Sequence, residues 1–219
     1  SMLSVNELNF KQKSLLFAKL SKIAYYNEKN ARKQAKELGF STTKFYDHEG
    51  AQAYRFQNKF DIVIACRGTE PTKWNDISAD LKAIPVVAET VSRVHKGFKE
   101  QVDELWPMIV IDIDKKTHIN KLLWFCGHSL GAAMSTIMAS RAKYNASLQD
   151  PTEVYTYGSP RVGWPTYVDS LHIVHHRWRN NNDIVTKVPL WSMGYRHCGT
   201  LHYITSDQKI GKPGFVDWC

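Results

Sequence analysis

The residues best suited to chemistry form the run Gly127-His128-Ser129-Leu130-Gly131, which lies between an apolar stretch and an alanine-rich stretch. A Gly-x-Ser-x-Gly motif between a strand and a helix is typical of a nucleophile elbow, a strained turn that lifts the serine hydroxyl above the sheet. The glycines leave space where side chains would clash. The start of the following helix directs free N–H groups at an incoming oxyanion. The motif predicts Ser129 as a nucleophile; the alternative is a glycine-rich turn with an incidental serine.

A serine hydroxyl needs a base to activate it, and the base needs an acid to orient it. In enzymes with such an elbow the acid and the histidine follow the serine in that order. Asp183 follows a predicted strand through a polar loop, and His197 follows an irregular loop and precedes Gly199. Asp183 thus stands at a strand end, where catalytic acids commonly lie, and His197 is a candidate for the base. The other candidates after the serine are Asp150, Glu153, Asp169, Asp207, Asp217, His172, His175, His176 and His202.

Three of the remaining histidines fall in predicted strands. Since neighbouring side chains of a strand point to opposite faces, at most one of His175 and His176 can face a cleft. His202 lies in the next extended run, and we interpret it as structural.

The elements that must position these residues alternate between strands and helices. Apolar residues at helical spacing from Leu8 to Ile23 predict a first helix. Between the predicted strand over 61–66 and the predicted helix over 97–112, residues 67–94 are predicted to form a long irregular connection. The pattern predicts an α/β fold in one domain, 1–219, with a mostly parallel central sheet and an N-terminal hairpin. The other predicted elements are helices over 31–38, 97–112 (which Pro107 should end or kink), 132–144 and 164–171, and strands over 42–46, 52–56, 61–66, 121–126, 153–157 and 173–178.

Several runs, in order from about residue 62 to 203, resemble the class 3 lipases of the fungal, Rhizomucor-like type. The matching runs are Val94-His95-Lys96-Gly97-Phe98, Gly127-His128-Ser129-Leu130-Gly131 and Tyr157-Gly158-Ser159-Pro160-Arg161-Val162-Gly163, with an acid segment at Asn180 and Asp183, a histidine segment at Tyr195-Arg196-His197-Cys198-Gly199 and an oxyanion-loop segment at Arg67-Gly68-Thr69.

The resemblance implies an α/β-hydrolase fold with helices on both faces of the sheet. It implies Ser129 as nucleophile, His197 as general base and then acid, and Asp183 as orienting acid. Thr69 and the backbone N–H of Leu130 would form the oxyanion hole. The implied reaction is hydrolysis of carboxylic esters, most of all acylglycerols, through an acyl-enzyme, with no cofactor and no metal.

The resemblance also implies a lid over about 71–81. Its apolar residues Trp74, Ile77 and Leu81 are spaced three and four apart, which places them on one helix face. One interpretation is a lid that covers an apolar cleft and opens at a lipid surface. The other is a helix packed permanently on the core.

Other functions remain open at this stage. The nearest are a phospholipase A1 and a soluble short-chain esterase with the same catalytic groups. A catalytically inactive lipase-like binding protein is the alternative from another class, although no triad member is missing from the sequence. A serine peptidase is disfavoured because nothing suggests a peptide-binding subsite.

The chain is basic: 29 Lys and Arg against 21 Asp and Glu give a net charge of +8 and a pI near 9.2. A basic stripe interleaved with aromatic residues, typical of nucleic-acid modules, is absent from the sequence. We predict no nucleic-acid partner. The hypothesis that remains is diffuse, transient attraction to anionic lipid interfaces or to acidic substrates. No run of 18 apolar residues occurs, which excludes a spanning helix.

The four cysteines form no CxxC pair, so a zinc site is not expected. Cys66 and Cys126 lie in apolar runs and are predicted to be buried thiols, whereas Cys198 and Cys219 could form a bridge. Ser1 before Met2 resembles the remnant of a cleaved tag. If Met2 is the natural start, there is no secretion signal and we expect a cytoplasmic protein; a trimmed sequence would leave secretion open.

Overall fold

The computed structural model describes residues 4–67, 85–87, 93–159, 172–180 and 200–204. The helices are a 3₁₀ turn over Val5–Glu7, α1 over Phe10–Ile23, α2 over Glu28–Glu37, α3 over Lys96–Asp112 and α4 over Leu130–Lys143. The strands are β1 Thr42–His48, β2 Ala51–Gln57, β3 Asp61–Arg67, β4 Pro85–Val87, β5 Arg93–His95, β6 Leu122–His128, β7 Pro151–Tyr157, β8 His175–Asn180 and β9 Thr200–Ile204. The helix predicted over 164–171 lies outside the described residues.

Seven of the described strands form one sheet in the order β1-β2-β3-β6-β7-β8-β9. The strands β4 and β5 pair with each other in a separate antiparallel ladder, so the prediction of an irregular connection over 67–94 is wrong at this place. The first three strands are antiparallel, and every later pairing in the large sheet is parallel. The predicted hairpin is present. Its two-residue turn, Glu49 and Gly50, has positive φ at both positions (51° and 83°), which matches the twist of the flanking strands.

Helices cover both faces of this sheet, as predicted. Alternate residues of β6 enter different cores: Phe125 packs in the core beneath α3 and α4, and Trp124 packs in the core beneath α1 and α2. Both side chains are fully buried. A strand that is apolar on both faces belongs in the centre of an α/β sheet, and β6 carries the nucleophile motif at its end.

The α-helix starts among the described residues differ from the predicted ones by one to three residues, and local structure explains two of these differences. The second helix begins at Glu28, three residues before the predicted start, because the Asn27 side chain accepts a hydrogen bond from the Asn30 amide and caps it. The helix after the motif begins at Leu130 and not at 132, since β6 extends through His128. Only Ser129 separates strand from helix.

Pro107 does not end α3, which continues to Asp112. A proline inside a helix removes one backbone hydrogen bond. Here Val102, Leu105 and Ile109 form a stripe at helical spacing that is fully buried against the sheet. Burial of this stripe on both sides of the proline outweighs the lost hydrogen bond.

Cys66 and Cys126 are buried free thiols, as predicted. They lie in different cores, one on each face of the sheet, although their strands are neighbours. Burial raises the pKa of both thiols to about 12. Cys198 and Cys219 lie outside the described residues. No helix in the described part of the chain is both long and apolar enough to cross a membrane.

Candidate active site

Ser129 occupies the sharp turn between β6 and α4. Its backbone has φ 59° and ψ −124°, a conformation that residues with a side chain adopt only rarely. Such a conformation costs about 1–3 kcal/mol and persists where the surroundings impose it. The sequence therefore places its candidate nucleophile at a strained position.

Gly127 permits this turn to close. A Cβ added to Gly127 would lie 2.8 Å from the Ala132 nitrogen and closer still to the carbonyl group of Gly131. Real Cβ atoms do not approach backbone atoms so closely. The first glycine of the motif is thus required by contact with the helix that follows, as the motif predicted.

The Ser129 hydroxyl is buried but is not used as a helix cap. Serine at an N-cap normally has an extended backbone and accepts a hydrogen bond from the helix, as Asn9 does at the start of α1. The turned backbone of Ser129 makes no side-chain capping bond. No described residue forms a hydrogen bond with its Oγ, and the residue is 1% exposed.

The helix α4 begins directly after Ser129, at Leu130. The first four N–H groups of a helix have no partner one turn back, and the positive end of the helix dipole favours an anion there. The Ala132 amide already donates to the Ser129 carbonyl at 3.0 Å. The Leu130 amide is the first N–H after the serine, and Leu130 itself is buried.

The turn is held by hydrogen bonds from three other parts of the fold. The Ser129 amide donates to the Tyr157 carbonyl at 3.0 Å. The Tyr25 hydroxyl donates to the His128 carbonyl at 3.3 Å and lies 2.9 Å from Nδ1 of the same histidine. The Ser135 hydroxyl is within hydrogen-bond distance of the carbonyl oxygens of Cys126 (2.6 Å) and Gly131 (2.8 Å).

Two buried histidines, His128 at the end of β6 and His175 at the start of β8, are neutral. Burial lowers the pKa of His128 to about 3 and that of His175 to about 3, the latter with a smaller effect of Arg177. His175 Nε2 lies 2.6 Å from the Thr156 hydroxyl. His176 Nε2 lies 3.2 Å from a Glu153 carboxylate oxygen. The two adjacent histidines have different partners.

The structure brings two predicted site residues together, Ser129 and Leu130. The others lie outside the described residues: Asp183, His197, Thr69, Trp74, Ile77 and Leu81. Of the other acids considered, Asp150 pairs with Lys143 and Glu153 with Lys13. The sequence reasoning missed Tyr25 as a contact of the motif, because no periodic pattern links residues 103 positions apart.

A family model described as Lipase (class 3) matches residues 63–193, which is 131 of the 219 residues. The chain belongs to the class 3 lipase family. The matched range contains Thr69, Ser129, Leu130 and Asp183, and it ends before His197. The sheet order, the elbow and the helices on both faces are those of the α/β-hydrolase fold, so the predicted family and fold are confirmed.

Similarity to individual proteins extends over most of the chain. It is 31% identical to a lipase of Rhizomucor miehei over 176 residues, 76% of this chain and 47% of that protein. It is 26% identical to the toxin TseL of Vibrio cholerae over 75% of this chain and 32% of the toxin. A solved structure of Rhizomucor miehei triacylglyceride lipase superposes with a TM-score of 0.73 at 25% identity, covering 90% of this chain and 80% of that one. The chain spans about half of the length of the Rhizomucor miehei lipase and about a third of the length of the toxin.

Proposed function

We propose that this class 3 lipase hydrolyses carboxylic esters, acylglycerols in the first place, through an acyl-enzyme on Ser129. One observation carries the proposal. Ser129 stands in a positive-φ turn between strand and helix, with a hydroxyl that no described residue engages. This geometry presents a nucleophile at the carboxyl edge of a parallel sheet. The names of its relatives, a lipase and a triacylglyceride lipase, support an acylglycerol as the substrate.

In the proposed reaction the Ser129 Oγ attacks the ester carbonyl while His197 takes its proton. A tetrahedral intermediate forms, and its oxyanion accepts hydrogen bonds from the Leu130 amide and from Thr69. His197 then protonates the leaving alkoxide, which departs as the alcohol. Water repeats the sequence on the acyl-enzyme and releases the fatty acid, and Asp183 orients His197 throughout.

The start of α4 supports the oxyanion-hole part of this proposal. The Leu130 amide belongs to the first turn of a 14-residue helix, where the helix dipole stabilises negative charge. Loss of one oxyanion donor typically lowers the rate by about 10²–10³-fold. We therefore expect Thr69→Val to reduce turnover by about that factor.

Chain order supports Asp183 as the acid. The strand β8 ends at Asn180, and the carboxyl ends of parallel strands lie at one edge of the sheet. Asp183 follows three residues later in the chain, and β8 lies two strands away from β6 in the sheet order. A catalytic acid commonly occupies such a position after a strand end.

The proposed base, His197, must come close enough to Ser129 to accept its proton. Cys126, Tyr155, His176 and Thr200 lie side by side across β6, β7, β8 and β9. Thr200 is thus three strand spacings, about 14 Å, from Cys126, and Ser129 comes three residues, about 10 Å, after Cys126 in the direction of the carboxyl ends of the strands. His197 is three residues, at most about 11 Å, before Thr200. The proposed role of His197 therefore requires residues 197–199 to lead toward the carboxyl end of β6. His197→Ala, compared with His202→Ala on β9, tests this role: the proposal expects loss of turnover in the first variant alone.

The lid over 71–81 remains part of the proposal, with Trp74, Ile77 and Leu81 as its apolar face. An opening lid would make activity depend on a lipid surface. The net charge of +8 would favour an anionic surface. Binding to vesicles that is independent of anionic lipid and of salt would refute this role of the charge.

A panel of nitrophenyl esters of increasing acyl length, assayed with and without an emulsion, tests the proposed function. A lipase with a mobile lid should be activated by the emulsion and act on long acyl chains. A flat response to the interface with a short-chain preference would favour an esterase, and release of the sn-1 fatty acid from phosphatidylcholine would favour a phospholipase A1. Absence of turnover, with Ser129→Ala as the matched control, would revive the inactive binding protein.

A further inference from the structure

The peptide group that joins His128 to Ser129 is held on both sides. Its N–H, on Ser129, donates to the Tyr157 carbonyl at 3.0 Å. Its C=O, on His128, accepts from the Tyr25 hydroxyl at 3.3 Å. The plane of this peptide, together with the backbone angles of Ser129, sets the direction of the serine side chain.

The two residues that bond to this peptide group, Tyr25 and Tyr157, both connect it to the N-terminal helix α1. Tyr25 follows α1 directly, two residues after its end at Ile23. The Tyr157 hydroxyl donates to the Ser14 carbonyl within α1. The segment from Ser14 to Tyr25 thus contacts the turn from the face of the sheet opposite to α4. This segment precedes the part of the chain that matches the family model.

The Tyr25 hydroxyl has a single proton but two contacts with His128, one at Nδ1 and one at the carbonyl oxygen. Both contacts are hydrogen bonds if the neutral imidazole carries its proton on Nδ1 and donates to the tyrosine oxygen, while the tyrosine donates to the carbonyl. His128 is 3% exposed, and its burial favours the neutral ring. In this arrangement the His128 imidazole donates to the Tyr25 hydroxyl, and Tyr25 in turn donates to the carbonyl oxygen of His128.

We propose that Tyr25 and His128 act as a positioning pair, which fixes the peptide before Ser129 and so aims the serine hydroxyl. This inference rests on the proposed function, since its readout is the reactivity of Ser129. The pair does not touch the substrate in this role. Its removal should slow the step in which Oγ attacks and leave substrate binding nearly unchanged.

Tyr25→Phe tests the pair with the loss of one oxygen atom. We expect kcat for a soluble nitrophenyl ester and the rate of phosphonylation by a fluorophosphonate to fall together, by about 10-fold, with KM within about two-fold of the wild type. Tyr54→Phe is the matched control. The Tyr54 hydroxyl donates to the Tyr26 carbonyl at 2.7 Å in the same core, but it has no described contact with the elbow. This control should lose stability and keep kcat.

Substitutions of His128 give a second test that does not depend on the folding of Tyr25→Phe. His128→Asn keeps a donor near the position of Nδ1 and should restore most of the rate that His128→Leu loses. In the Tyr25→Phe background, the rate difference between the two His128 variants should shrink, because the Tyr25 hydroxyl that the side chain at position 128 contacts has been removed.

The outcomes separate this inference from the proposed function. If wild-type protein neither hydrolyses the ester nor reacts with the fluorophosphonate, the proposed function fails. If the wild type reacts and Tyr25→Phe matches it, or if Tyr25→Phe and Tyr54→Phe slow the reaction equally, the positioning role is overturned. A rise in KM without a change in kcat would also overturn it.

Discussion

The amide of Ser129 donates to the main-chain oxygen of Tyr157, 3.0 Å away. This bond continues the pairing of β6 with β7 one residue past the end of β6, into the turn itself. The neighbouring strand pair, β7 and β8, has an equivalent bond one residue past the end of β7, where the Gly158 amide donates to the Trp178 carbonyl at 2.8 Å. The elbow is therefore an extension of the sheet, and the sheet holds the serine in its positive-φ conformation.

Replacement of Ser129 by glycine should stabilise the protein while it removes the nucleophile. Glycine adopts φ 59° without steric cost, although its chain entropy offsets part of the gain. We expect the free energy of unfolding to rise by about 1 kcal/mol relative to Ser129→Ala, which keeps the strain. Urea denaturation of both variants measures the difference, and equal stabilities would show that the turn is not strained.

Gly127→Ala should be severely destabilising. Its new methyl group would collide with the Gly131 carbonyl and lie 2.8 Å from the Ala132 nitrogen, all of which are backbone atoms. We expect a loss of more than about 3 kcal/mol or failure to fold. Gly39→Ala is the control, because nothing lies within 4 Å of its added Cβ although its φ is +98°. The control should lose only about 1 kcal/mol; similar losses in both variants would contradict the steric explanation.

Acid should destabilise the fold well above the range in which carboxylates titrate. Burial lowers the pKa of His128 and of His175 to about 3, whereas an unfolded chain has a histidine pKa near 6.5. Below that pH the unfolded state binds more protons, so stability is present above about pH 6.5 and falls as the pH drops toward 3. Each histidine contributes a slope of about 1.4 kcal/mol per pH unit in that window.

Denaturant unfolding between pH 7.5 and 5 measures this slope. His128→Asn and His175→Gln should each lower this slope by about 1.4 kcal/mol per pH unit, which is the contribution of one histidine. A stability that stays constant across the range in the wild type, or a slope unchanged in both variants, would contradict the assignment of two buried neutral imidazoles.

Much of the fold follows from patterns that the sequence contains locally. Alternation and apolar runs predict the hairpin and the strands β3, β6, β7 and β8, and their alternation with helices predicts the parallel sheet. The short strands β4 and β5 are not predicted, because they fall in the stretch that reads as an irregular connection. Boundaries depend on single hydrogen bonds, such as the cap from Asn27 to Asn30, and so are predicted less well. The continuation of α3 through Pro107 depends on tertiary burial, which no local rule contains.

The same distinction applies to the site. Ser129 is predictable because the glycines that allow its turn stand next to it in the chain. Tyr25 is not predictable, since it lies 103 residues from His128 in the chain. A single hydrogen bond from a hydroxyl to a carbonyl oxygen leaves no pattern in the sequence. The bond from Tyr157 to Ser14 spans 143 residues and is equally invisible. Support of an elbow by distant side chains emerges only from the packed structure.

The central claim is that Ser129 is the nucleophile of an ester hydrolase, and covalent labelling tests it most directly. Incubation with a fluorophosphonate, followed by intact-protein and peptide mass spectrometry, should show one phosphonyl group on Ser129, loss of ester turnover in proportion to labelling, and no labelling of Ser129→Ala. Turnover that persists in Ser129→Ala, or a label on another residue, would contradict it.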